Sequence, residues 1–131
     1  MPESRPTRVL LVDDEKNFLY IFMDYLQFSG YDVVTAANGE EALALLQTER
    51  FDIVLLDLGM PKVNGWQVCE AIKRDPKTSG LPIILLTVYA EAEYHKRAEE
   101  LKVQVYLTKP CEPSELVKEI KRCLANQANP K

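Results

Sequence analysis

Residues 51–65, FDIVLLDLGMPKVNG, decide the fold. Ile53 to Leu56 is an unbroken apolar run that ends on Asp57. A short run rich in branched side chains reads as a parallel strand buried on both faces. Gly59, Pro61, Asn64 and Gly65 follow, and each favours a turn. A carboxylate therefore stands where a central strand gives way to a loop, the edge at which open α/β sheets bind ligands. Alone, Asp57 reads as a strand-end cap.

The same pattern recurs on either side. Residues 9–12 (VLLV) run straight into Asp13, Asp14 and Glu15, and residues 81–86 (LPIILL) end on Thr87. Pro82 is tolerated because it lies at the strand start. Residues 103–107 read as a last strand, followed by Thr108, Lys109 and Pro110. Residues 31–36 (YDVVTA) alternate as an edge strand does. Between the strands the period becomes helical. Phe18, Leu19, Phe22, Met23 and Leu26 mark a helix over residues 15–29, with Asp14 able to cap it and Gly30 to end it in the left-handed conformation. A second helix follows the Asn38–Gly39 turn with Ala42, Leu43 and Leu46 on one face. A third, residues 66–74, turns Val68, Cys69 and Ile72 inward. A polar fourth covers residues 90–101. The last opens at Pro113, a first-turn proline, and buries Leu116, Val117, Ile120 and Leu124. Phe18, Tyr20, Phe22, Tyr25 and Phe28 cannot all face one core, which hints at an exposed contact surface on the first helix.

Five β–α units in succession mean an α/β fold: a parallel sheet covered by helices on both faces, with right-handed crossovers. Five strands are too few for an eight-fold barrel, which leaves an open doubly wound five-stranded sheet. The 131 residues suit one domain with a real core: a loose lead over 1–7, the domain over 8–125 and a frayed tail over 126–131. Net charge is −4 with no long basic run, so direct nucleic-acid binding is not expected. Cys69, Cys111 and Cys123 lack metal-site or redox spacing and read as reduced thiols. No apolar run reaches membrane-spanning length, and the first residues lack a signal-peptide core. A cytoplasmic protein without membrane contact is the expectation.

Parallel strands place their carboxyl ends at one edge. That edge would collect Asp13 and Asp14, Asp57, Thr87 and Lys109. With strand order 2-1-3-4-5, the acids of the first and third strands meet at the topological switch point. Three carboxylates in one pocket repel unless a cation joins them, and oxygen-only ligands favour Mg²⁺, with Mn²⁺ as the other candidate, over zinc. An ammonium and a hydroxyl beside such an ion complete a site for a phosphoryl group. A carboxylate can itself be the nucleophile, giving an acyl phosphate.

Residues 9–15 (VLLVDDE), 57–61 (DLGMP) with Asn64–Gly65, Thr87, and 106–110 (YLTKP) resemble the receiver domain of bacterial response regulators, in its single-domain, chemotaxis-regulator-like form. The resemblance spans roughly residues 7–125 and implies a flavodoxin-like receiver fold. It implies that Asp57 is phosphorylated by a sensor histidine kinase or phosphotransfer protein. Asp14 and Asp57 would ligate Mg²⁺ directly, Asp13 through water, and Gly59 by its backbone carbonyl. Lys109 would pair with the phosphoryl oxygens, Thr87 would swing to hydrogen-bond them, and Tyr106 would change rotamer with it. The Lys109–Pro110 bond would be cis. The face made by the fourth helix, fifth strand and fifth helix would bind an output protein. The chain would be a phosphoacceptor that assists its own phosphorylation and dephosphorylation rather than an enzyme on external substrates. It would act as a monomer or a weak phosphorylation-linked dimer, its output a partner or an effector domain removed from it.

Some positions depart from the family pattern. Val88 stands where a small residue is usual and would narrow access to Asp57. Gly59 and Tyr89 occupy positions that tune dephosphorylation. Lys102, Gln104 and Val105 replace the frequent glycine and acidic residues near the end of the fourth helix. Cys111, in place of a frequent phenylalanine, reads as packing; His95 reads as solvated, and Trp66 as packing. The competing readings are a pseudo-receiver scaffold that keeps the fold without switching, an aspartyl-phosphate hydrolase, and a flavodoxin-like carrier. The complete acid set opposes the first, the lack of room for a cap domain the second, and the acidic pocket the third.

Overall fold

The structure, a computed structural model, describes residues 6–58, 65–87, 92–103, 105–109 and 111–128. In chain order these form β1 (Arg8–Val12), α1 (Lys16–Phe28), β2 (Asp32–Ala36), α2 (Gly39–Thr48), β3 (Ile53–Asp57), α3 (Gly65–Arg74), β4 (Ile83–Thr87), α4 (Ala92–Glu100), β5 (Val105–Thr108) and α5 (Pro113–Ala128). All strand pairs are parallel and the order is β2-β1-β3-β4-β5. The open doubly wound fold expected from the sequence is the one observed.

Alternation along the strands divides the core in two. Leu10, Val12, Val54, Leu56, Ile83 and Leu85 meet α2 and α3 through Ala42, Leu46, Val68, Cys69 and Ile72. Val9, Leu11, Ile53, Leu55, Ile84 and Leu86 meet α1 and α5 through Phe22, Leu26, Leu116, Ile120 and Cys123. β3 and β4 are buried at every position, as continuous apolar runs require. Among the described residues no helix is long and apolar enough to cross a membrane.

Three local expectations change. Asp14 does not cap α1: the N-cap is Glu15, without a side-chain cap, and its N–H donates to Asp13 Oδ1 at 2.9 Å. The carboxylate two residues back reaches that N–H as in an Asx turn, while Asp14 is exposed. β5 begins at Val105 rather than 103, because Val103 still closes α4, its N–H bonding to the Ala98 carbonyl at 3.0 Å. Lys102 makes that closure with φ +60°, the left-handed backbone that glycine usually supplies. α5 continues to Ala128, past its last apolar stripe position. Gly30 does end α1 as expected, at φ +100°. Of the α1 aromatics, Phe22 is buried while Tyr20 and Phe28 are 72% and 91% exposed, with Ile21 and Tyr25 beside them.

α4 is fastened by rings more than by burial. Tyr94 stacks on Trp66 of α3 at 6.1 Å between centroids. Arg97 lies 4.8 Å above the same Trp66 ring and pairs with Glu70 at 2.9 Å.

Candidate functional site

The site begins where the strands stop. Asp13 extends β1 by one bond, its N–H donating to the Ala36 carbonyl at 3.1 Å, and it is 1% exposed. Asp57 is the last residue of β3, and Thr87 the last of β4; both are buried. Register places Asp57 opposite Leu86 and Thr87 opposite Thr108, so the next residue, Lys109, comes to the same edge. Its N–H donates to the Thr87 carbonyl at 2.7 Å.

Carboxylate oxygens of Asp13, Asp14 and Asp57 all lie within 4.8 Å of one another. Lys109 Nζ is 2.7 Å from Asp13 Oδ2 and 3.9 Å from Asp57 Oδ1. Three negative charges so close require compensation, and this ammonium supplies one unit of it. Both oxygens of Asp13 are engaged, Oδ1 by the Glu15 N–H and Oδ2 by Lys109. The donor set is all oxygen, without imidazole or thiolate, and fits a hard divalent cation such as Mg²⁺.

Gly65, read from the sequence as a turn former, has a sharper reason to be glycine. A Cβ there would stand 2.3 Å from the Asp57 carbonyl oxygen and 2.6 Å from the Leu58 Cα. The start of α3 is thus pressed against the backbone that carries Asp57. Tyr106, half-buried in β5, contacts His95 of α4, the ring centroids 4.1 Å apart at 39°. His95 is therefore exposed yet packed, not merely solvated. Trp66 packs as expected, and Cys111 is half-buried with its thiol pushed up to about 11, chiefly by burial, which opposes a reactive thiolate. Gly59, Val88, Tyr89 and the Lys109–Pro110 bond lie outside the described residues.

A groove of about 450 Å³ beside Arg8, Asp32, Arg50 and Asp52 opens at the other end of the strands. Its guanidinium at Arg8 is already engaged by Asp32, Glu49 and the Arg50 carbonyl.

A family model for the response regulator receiver domain matches residues 9–121. The chain belongs to this family. Among solved structures, the receiver resembles the CheY-like receiver domain protein of Methanospirillum hungatei, with TM-score 0.89 and 31% identity over 95% of this chain and 98% of that one. It also resembles DrrB of Thermotoga maritima, an OmpR/PhoB homolog, with TM-score 0.83 and 32% identity over 94% of this chain and 54% of that one. A probable transcriptional regulator, ycf27, of Cyanophora paradoxa is 38% identical over 98% of this chain and 52% of its own length. The alkaline phosphatase synthesis transcriptional regulatory protein PhoP of Bacillus subtilis is 37% identical over 89% of this chain and 48% of its length. The receiver thus spans about half the length of the curated relatives it matches.

As a receiver domain of two-component systems, the chain is a signalling domain rather than a typical enzyme. The receiver residues expected at strands one, three, four and five are brought to one edge. The Phe18 ring, whose centroid lies 4.1 Å from Lys109 Nζ, and the close approach at Gly65 had no site role legible in the sequence, since neither a ring face nor a backbone contact leaves a spacing signal.

Proposed function

We propose that this receiver, the domain expected over residues 8–125, is a phosphoacceptor switch acting in the cytoplasm. A sensor histidine kinase or phosphotransfer protein donates the phosphoryl group to Asp57. The observation that carries the reading is the pairing of three clustered carboxylates with Lys109 Nζ, 2.7 Å from Asp13 and 3.9 Å from Asp57. An Asp57 carboxylate oxygen attacks phosphorus, the bond to the donor's leaving atom breaks, and an acyl phosphate forms. Asp14 and Asp57, with Asp13 through water and the Gly59 carbonyl, would hold Mg²⁺, which would neutralise phosphoryl charge. Lys109 turns from Asp13 toward the phosphoryl oxygens, and the Thr87 hydroxyl donates to them. Water attack on phosphorus later breaks the acyl phosphate, releases inorganic phosphate and returns Asp57 to its free form, at a rate tuned by Gly59, Val88 and Tyr89.

Phosphorylation adds about −1.5 to −2 charges at one point. Thr87 and Lys109 share a backbone hydrogen bond, so the carboxyl ends of β4 and β5 respond together. Tyr106 and its neighbour His95 transmit that movement to the α4–β5–α5 face, where an output protein binds. A switch from mostly off to mostly on needs about 5.5 kcal/mol of differential stabilisation, within reach of a dianion meeting ammonium, hydroxyl and metal. The complete set of site groups supports this reading over a pseudo-receiver scaffold.

Intact mass after incubation with acetyl phosphate and Mg²⁺ tests it. One phosphoryl adduct is expected, absent in EDTA and in Asp57→Asn. No adduct from acetyl phosphate or from any kinase tried, together with no Mg²⁺ binding, would refute it in favour of the scaffold.

A further inference from the structure

Lys109 has a third neighbour besides the two acids. Its Nζ lies 4.1 Å from the centroid of the Phe18 ring on α1. Phe18 is itself stacked on Phe22, with centroids 4.1 Å apart and planes 18° from parallel, and Phe22 is buried in the core between sheet, α1 and α5. The ammonium is thus enclosed by Asp13, Asp57 and an aromatic face whose position the core determines.

We propose that Phe18 is a positioning residue for Lys109, its ring face holding the ammonium over the acid cluster so that it meets the incoming phosphoryl group. This rests on the phosphoacceptor reading above. A lysine side chain has several rotatable bonds and loses rotamer freedom when fixed. Asp13 anchors the ammonium by charge, but the phosphoryl group must draw it away from that partner. The ring attracts a cation without competing for the hydrogen-bond donors that phosphoryl oxygens need. It can therefore stay in contact with Lys109 in both arrangements, whereas Asp13 cannot. An aliphatic side chain of similar size would fill the same space without the ring's negative face.

The test compares Phe18→Leu with Phe18→Tyr and Phe18→Trp. With acetyl phosphate and Mg²⁺, Phe18→Leu should be phosphorylated roughly fivefold to tenfold more slowly, and the two aromatic variants within about twofold of the parent. A second readout needs no phosphorylation. In lysine-labelled protein the Lys109 ε-methylene protons, close to a ring face, should be shifted upfield in the parent and Phe18→Tyr and return to ordinary values in Phe18→Leu. Loss of rate with an unchanged Lys109 resonance, or a changed resonance with an unchanged rate, overturns the proposal. If the parent itself takes no phosphoryl group, the phosphoacceptor reading fails, and with it the role in phosphoryl transfer, even though the resonance test would still place the ring over the ammonium. Phe18→Met carries the same comparison if the leucine variant does not fold.

Discussion

Replacing Lys109 by methionine removes one charge and little volume, and the structure gives the scale of the effect. At an effective dielectric of about 20, contacts of 2.7 Å and 3.9 Å to Asp13 and Asp57 correspond to about 6 and 4 kcal/mol of attraction. Each carboxylate pair, with oxygens within 4.8 Å, repels by about 3.5 kcal/mol on the same scale. Lysine thus roughly offsets the mutual repulsion of the acids. Breaking a fully buried pair costs about 3–5 kcal/mol. Here Asp13 is 1% exposed but Lys109 is 14% exposed, so we expect Lys109→Met to lose about 2–4 kcal/mol in metal-free buffer. Urea unfolding in EDTA should show the midpoint falling by about 1–2 M with the slope unchanged. On the proposed Mg²⁺ site, the ion would replace the missing charge and bind only the folded cluster, so it should stabilise the variant more than the parent. A variant within 0.5 kcal/mol of the parent without metal, or an equal gain from Mg²⁺ in both, would refute electrostatic coupling in this pocket (~0.5 kcal/mol is the usual scatter of surface substitutions).

Three further outcomes follow from the geometry. Gly65→Ala drives a Cβ to 2.3 Å from the Asp57 carbonyl; we expect a loss of about 2–4 kcal/mol by chemical denaturation and a displaced Asp57 amide resonance. Lys102→Gly relieves a residue at φ +60° and should raise stability by about 0.5–1 kcal/mol, read as a higher Tm. Cys111, with its thiol raised to about 11 by burial, should react with a thiol reagent at pH 8 roughly 100-fold more slowly in the native protein than in urea. The sign follows from thiolate supply: the folded state holds the proton as pH rises past the unfolded value and releases it only near the raised one. The rate should therefore climb about tenfold per pH unit through that window.

The strands were legible because runs such as IVLL and IILL admit few other placements. Once five of them alternate with helices, the acids, hydroxyl and lysine at their ends must share an edge. What remained hidden depended on contacts across space. Asp13 and Asp14 are adjacent acids of equal capping propensity, and only the fold decides which turns back to Glu15. The extra residues assigned to β5 came from an apolar Val103 that instead closes α4, over a Lys102 doing what glycine would do. Gly65 carried a turn signal that concealed a backbone approach. His95 sits in a polar helix, and its ring partner eleven residues away leaves no periodic trace.

α4 differs from the other helices in how little of it is interior. Ala98 is buried, Tyr94 is half-buried, and His95, Lys96, Arg97, Glu99 and Glu100 are exposed. Among the described residues its attachments include, beside Ala98, a ring stack, a tilted ring pair, a cation–π contact and a surface ion pair, interactions of about 0.5–1.5 kcal/mol each. Such a helix can open on its own without disturbing the sheet, and its amides should exchange with solvent far faster than those of β3. On the phosphoacceptor reading, the free energy that one covalent event would deliver is small beside the stability of the sheet but comparable to these attachments of α4.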